Sequence, residues 1–186
     1  MKVRSVVDVQ IDSSEARHDL AELSGPQALA AIRRSLSRSI RSTKREVRKA
    51  ILEDYNLRPM RVERSIRARS RGDSAGITIA GRASSLTDFR GTRQTKKGVL
   101  VSVVTGGGFD VLRHTFLARM SSGHRGAFER KRSGESRVGR LPIVEKFGPA
   151  PQQALDEKDL ERLALHGRTR FEIELARDVA FRMGRA

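Results

Sequence analysis

The stretch Phe116–Pro149, FLARMSSGHRGAFERKRSGESRVGRLPIVEKFGP, holds two short apolar runs separated by a basic, glycine-punctuated segment. The first run, Val111–Met120, mixes β-branched, aromatic and long apolar residues and stops at Ser121, Ser122 and Gly123. Ala127 and Phe128 resume an extended pattern, and Leu141–Phe147 returns before Gly148 and Pro149 end it. This spacing predicts a strand, a loop and a returning strand. The loop, Glu129–Arg140, carries five Arg or Lys against two Glu. Unpaired charges are costly to bury, so it belongs in water or against a partner.

Outward from that ribbon the chain reads as further strands. Gly98–Thr105 (GVLVSVVT) is apolar on both faces, the pattern of a strand central in a sheet. Gly106, Gly107 and Gly108 turn it into Phe109–Arg119. Ile66–Ser70, with Arg67 and Arg69 outward, turns at Gly72-Asp73 into Gly76–Gly81 and predicts a hairpin. Between hairpin and central strand lies Arg82–Lys97 (RASSLTDFRGTRQTKK), polar and basic. It reads as a long loop that a neighbouring subunit would order. At the start, Val3, Val7, Val9 and Ile11 alternate with Arg4, Asp8 and Gln10, with Val6 as the exception, so Lys2–Ile11 predicts a half-buried strand. Ala16–Leu23 can form a short helical turn.

Two helices complete the reading. Ser24-Gly25-Pro26 is a helix start, with proline where its missing N–H does no harm. Leu29, Ile32, Leu36, Ile40, Val47 and Ile51 then form one apolar stripe that ends near Asn56. Each, once buried, contributes roughly 1.5–3 kcal/mol, so this helix can anchor a core. Off the stripe stand Arg33, Arg34, Arg38, Arg41, Lys44, Arg45, Arg48 and Lys49, opposed between 33 and 49 only by Glu46. Like charges four residues apart weaken a helix by a few tenths of a kcal/mol per pair. Either an anionic partner relieves them, or they reach into water and pair with acids elsewhere. Leu57-Arg58-Pro59 breaks the helix, and Met60–Ser65 suits a short turn. The second helix starts at Asp156, a suitable N-cap, after a turn at Pro151–Leu155, and runs to about Met183. Leu160, Leu163, Ala164, Phe171, Leu175 and Val179 mark its apolar side. Gly167 near that side weakens the helix by roughly 1 kcal/mol unless a tight crossing needs it.

The spacing Phe116, Leu117, Ala118, Met120, Gly123, His124, Gly126, Phe128, then Arg130, Leu141-Pro142-Ile143 and Gly148-Pro149 resembles the prophage minor tail protein Z family. These are tail completion proteins of long-tailed phages. A basic amphipathic helix before the pattern and a helix after it agree with the resemblance. Ala150 departs from it, since Ser is expected after Gly-Pro. The resemblance implies a structural virion protein at the head-proximal end of the tail, assembled in the host cytoplasm. It further implies a homo-oligomeric ring of six subunits that touches the tail terminator, tail tube and tape measure proteins. Ring closure needs heterologous interfaces. The Arg82–Lys97 loop, with Arg90 and Arg93, and the Glu129–Arg140 loop, beside His124, Arg125 and Arg130, are assigned to them. The arginines between 33 and 49 would face either an acidic neighbour in the lumen or DNA in the channel.

Composition bounds the alternatives. The net charge of +16 is concentrated in residues 25–149, which hold +18, while 1–24 hold −2 and 150–186 balance. A polyanion or an acidic protein surface fits that distribution. With no cysteine there is neither a disulfide framework nor a thiolate metal site. No apolar run approaches the roughly 18 residues of a membrane span, and Met-Lys-Val-Arg leads into alternation, which predicts no secretion signal.

Catalytic motifs are not found either. The triple glycine has no following lysine, so it is a turn and not a phosphate cradle. His18, His114, His124 and His166 lack metal-ligand spacing. His124, between glycines, reads as a ring hydrogen-bonded in a tight turn. The chain is therefore read as no enzyme, with no cofactor. Its fold class is α+β: one mostly antiparallel sheet packed on two long helices in a single domain. The competing class is a nucleic-acid-binding protein that holds DNA or RNA phosphates without reading sequence, since only 4% of residues are aromatic and stacking surface is small. That class explains the charge but not the Phe116–Pro149 pattern.

Overall fold

The structure is a computed structural model and describes residues 6–12, 25–72, 74–130 and 142–183. Over the described residues it is α+β, with antiparallel sheets and three α-helices. Strand β1 (Val6–Asp12) is followed by α1 (Gly25–Asp54), α2 (Pro59–Ser65), β2 (Ile66–Arg71) and β3 (Ser74–Ala80). The sheet order is β1-β3-β2, with Val9 opposite Ile77 and Ile77 opposite Ala68. Ile66, Ala75, Ile77, Ile79 and Ile11 are buried, and they join one apolar cluster with Ile32, Leu36, Ile40, Val47 and Ile51 of α1. The stripe thus lies against the sheet, apart from Leu29, which stays half exposed.

A second, polar face of α1 is buried as well. Ser35, Ser39 and Thr43 recur every four residues and turn towards α3 (Glu157–Met183). The Ser39 hydroxyl donates to the Gly167 carbonyl at 2.6 Å, and Thr43 Oγ1 donates to the Ser39 carbonyl at 3.0 Å. A Cβ at Gly167 would lie 2.8 Å from Ile11 Cδ1 and 3.2 Å from Thr43 Oγ1. The crossing therefore uses the glycine. Asp156 caps α3, its carboxylate accepting the Asp159 N–H at 2.7 Å. Met60–Ser65, read as a turn, belongs to the full helix α2, with Pro59 in its first turn.

The remaining strands are β4 (Ser84–Ser85), β5 (Arg93–Thr95), β6 (Gly98–Val101), β7 (Asp110–Arg113), β8 (Thr115–Arg119), β9 (Arg125–Arg130) and β10 (Ile143–Gly148). They form two further sheets, β5-β6-β7 and β4-β10-β9-β8, where one continuous sheet was expected. The division falls at His114, whose φ of 61° breaks the Phe109–Arg119 run into β7 and β8. Gln94 bridges the two sheets, its Oε1 accepting the Leu117 N–H at 2.8 Å.

Strand β6 is central, as its apolar faces require, but it ends early. The Val103 carbonyl accepts the Asn56 N–H at 2.8 Å, Thr105 N–H donates to Asp54 at 2.9 Å, and Val104 bridges Tyr55. The end of α1 takes over the pairing that the strand pattern promised.

Arg82–Lys97 is not an irregular loop. It holds β4, a 3-10 turn over Leu86–Asp88, and β5, and it buries Leu86 and Phe89 in the core. Two apolar side chains three residues apart are enough to fix a segment that is otherwise polar. Of the Glu129–Arg140 loop, only Glu129 and Arg130 are described, and both are in β9. Residues 131–141, like the Ala16–Leu23 turn, lie outside the described residues.

Candidate functional site

The residues singled out in the sequence separate into a β-ribbon and an arginine row. In the ribbon, β8 and β9 pair with Phe116 opposite Phe128 and Ala118 opposite Gly126, and β10 pairs with β9 on the other side. Gly123, at φ 82°, makes the turn between β8 and β9, a conformation that suits glycine. His124 Nε2 lies 2.8 Å from Glu145 Oε1 on β10, and its ring meets Phe128 edge-on at 6.5 Å between centroids. Gly126 makes room for that pair: a Cβ there would collide with the Glu145 carboxylate. Glu145 went unnoticed in the sequence. Its only signal is an acid within the returning strand, at no fixed spacing from the histidine. Gly148 has a comparable role, since a Cβ on it would stand 2.5 Å from Phe89 Cε2. The glycines of the family-like pattern thus serve close approach as much as turning.

Arginines stack on aromatic rings both in the ribbon and in the neighbouring β5-β6-β7 sheet. Arg130 lies over the Phe116 ring at 5.5 Å and Arg93 over Phe109 at 5.6 Å, both cation–π distances. Arg125 is exposed and pairs in register with Arg119, so two like charges face each other next to the turn. Arg90 is exposed, and its backbone is fixed at both ends by Asn56: its N–H donates to the Asn56 carbonyl at 2.8 Å, and its carbonyl accepts from Asn56 Nδ2 at 3.3 Å.

On α1 the basic residues divide in two. Arg34, Arg38, Arg41, Arg45 and Arg48 follow one another at steps of four and three, which is one line along a helix. Arg34 and Arg38 reach α3, where Asp178 lies 4.0 Å from Arg34 and Glu174 lies 3.3 Å from Arg38. Both acidic residues are buried, and α3 surrounds them with its own arginines. Arg170 and Arg177 approach Glu174 at 3.1 and 3.6 Å, and Arg182 approaches Asp178 at 2.8 Å. The acids that meet the first two arginines of the row had a signal: Gly167, Phe171, Glu174 and Asp178 share one face of α3 at steps of four, three and four.

Beyond that crossing, Lys44 pairs with Glu63 of α2, and Lys49 with Glu53 at 3.8 Å. Among the described residues no ion pair reaches Arg33, Arg41, Arg45 or Arg48, all exposed. Arg45, Arg48 and Lys49 line a shallow, open depression with Leu52 and Glu53. Chemically, this half of the row offers guanidinium donors to an anion, and the ribbon offers shape and charge for a neighbour. Among the described residues no group of three or more His, Asp or Glu comes together as a metal-ligand set, and no helix is long and apolar enough to cross a membrane. The chain matches no protein-family model, no curated protein and no solved structure.

Proposed function

We propose that this chain is a structural virion protein, a tail completion protein that acts at the head-proximal end of a long phage tail. The observation that carries the reading is the folded form of the family-like segment. Its distinctive residues serve architecture: Gly123 turns the ribbon, His124 is held by Glu145, Gly126 gives that pair its space, and Gly148 lies against Phe89. A ribbon so fixed is suited to standing against a neighbour. In this reading the two longer helices, α1 and α3, and the sheet beneath them form the rigid body of each subunit. A ring of six subunits would meet the tail terminator, tail tube and tape measure proteins, without turnover of any substrate.

Arg41, Arg45 and Arg48, which no ion pair reaches among the described residues, favour a second property, contact with nucleic-acid phosphates. It is compatible with a tail channel, and on its own it would make the chain a non-specific DNA- or RNA-binding protein. The test of the main reading is to locate the polypeptide in purified virions by mass spectrometry and by antibody labelling in the electron microscope. Label at the head-proximal end of the tail is the expected result. Infectious particles without the chain would refute it.

A further inference from the structure

Among the described residues β1 and β2 each pair only with β3, so they are the two edge strands of this sheet, and they carry opposite charge. Register places Asp8 opposite Thr78 and Thr78 opposite Arg67; Gln10, Gly76 and Arg69 share the next level, and Asp12, Ser74 and Arg71 share the third. One edge strand therefore carries two acids, and the other carries three arginines at the same heights. Strand β2 is exposed from Arg67 through Arg71, and among the described residues no ion pair reaches its arginines. An edge strand with unpaired backbone groups is a template for another strand. Charged residues keep such an edge from pairing with its like but leave it open to a complement.

We propose that β2 of one copy pairs with β1 of the next copy, continuing the sheet from subunit to subunit. Both β1 and β2 run antiparallel to β3, so they are parallel to each other. A copy rotated about an axis along the strands then presents β1 parallel to the neighbour's β2, with the levels preserved. Arg67 meets Asp8, Arg69 meets Gln10, and Arg71 meets Asp12. The contact is heterologous, one edge of each subunit against the other edge of the next, and such contacts close into rings or grow into filaments. Two copies joined β1 to β1 would set acids beside acids, and β2 to β2 would set arginines beside arginines. The charge pattern selects head-to-tail order. This supplies the interface for the ring in the function proposed above, but it stands without the tail reading, because it needs only copies of this chain.

The cysteine-free sequence gives a direct test. Neighbouring strands lie about 4.8 Å apart, within the Cα range of a disulfide. Oxidation of the full-length Gln10→Cys/Arg69→Cys variant is expected to give a ladder of covalent multimers, while each single variant stops at dimer. Charge reversal supplies the second arm, read by sedimentation. Arg67→Glu/Arg71→Glu and Asp8→Arg/Asp12→Arg should each weaken self-association roughly tenfold or more, and an equimolar mixture of the two should form alternating pairs through the retained and reversed edges. A native protein that assembles but gives no ladder would overturn the edge pairing and leave the tail reading standing. Native protein that stays monomeric at every concentration would likewise overturn it. A ladder from a chain that virions lack would support the pairing and refute the tail reading.

Discussion

The Ser39 hydroxyl donates a 2.6 Å hydrogen bond to the Gly167 carbonyl, joining the polar face of α1 to α3 in the interior. A side chain at 167 has to displace Ile11 and Thr43, which stand 2.8 and 3.2 Å from its Cβ position. Gly167→Ala gains about 1 kcal/mol of helix propensity, and the terminal methyl of Ile11 can swing aside, so its net change should stay within about 1 kcal/mol. Gly167→Leu cannot be absorbed that way and should lose roughly 1–3 kcal/mol. Urea unfolding reads both. A Leu variant as stable as the parent would mean that the helices do not meet closely at this point.

The His124–Glu145 contact predicts a suppressor. Gly126→Ala puts a methyl group where the Glu145 carboxylate stands, so the acid must swing away from His124, and stability should fall by roughly 0.5–1.5 kcal/mol, the net worth of the lost hydrogen bond. Shortening the acid with Glu145→Ala in the same chain removes the collision, so the double variant should be more stable than the sum of the single changes. A thermal-unfolding cycle measures this coupling. Strict additivity would show that Gly126 serves some purpose other than space for Glu145.

These two cases mark how far the sequence could be read. Periodicity located α1, α3 and the β2–β3 hairpin, because each buries a regular apolar face: Ile32 to Ile51, Leu163 with Phe171, and Ile66 with Ile77 and Ile79. It was silent on the face of α1 made by Ser35, Ser39 and Thr43, since buried hydroxyls look like surface in a hydropathy pattern. Arg82–Lys97 misled for a related reason. Its order rests on Leu86 and Phe89, and Phe89 is held by Gly148, nearly sixty residues away. Pairing across such distances leaves no local trace, and neither does the break at His114 that separates the sheets. The basic row was plain in the sequence, but its division into paired and unpaired halves depends on where Glu174 and Asp178 arrive.

Tyr55 gives a prediction in alkaline solution. Burial pushes its phenol above the ordinary value of 10.0, and the nearby Asp54 carboxylate pushes in the same direction. A raised pKa in the folded state means that folding favours the protonated phenol. That contribution is complete below pH 10 and is lost as pH rises through the folded-state pKa. The chain has one tyrosine and no tryptophan, so phenolate absorbance reports this residue alone. Titration of the folded protein should lag that of the denatured protein, and Tyr55→Phe should remove this part of the alkaline loss of stability. Coincident titrations in the two states would contradict the partial burial of Tyr55 against the core cluster.

The arginine row predicts how the protein should respond to salt if it touches DNA. Arg41, Arg45 and Arg48 stand at steps of four and three on one side of α1, and Arg41 to Arg48 spans about 10 Å along the helix axis. Over that length one strand of duplex DNA offers about three phosphates. Each phosphate contact contributes about 0.9 to the slope of log affinity against log salt, so replacing all three by Gln should flatten the slope by about 2.7. The loss should be similar for every DNA sequence, because phosphates carry no base information. Arg34→Gln/Arg38→Gln is the matching control. Those side chains already serve Asp178 and Glu174, so their removal should lower folding stability and leave the slope nearly unchanged. Fluorescence anisotropy with a labelled duplex at several salt concentrations measures the slopes. A triple variant with the parent's slope would remove this half of the row from any nucleic-acid contact and assign it to an acidic protein neighbour.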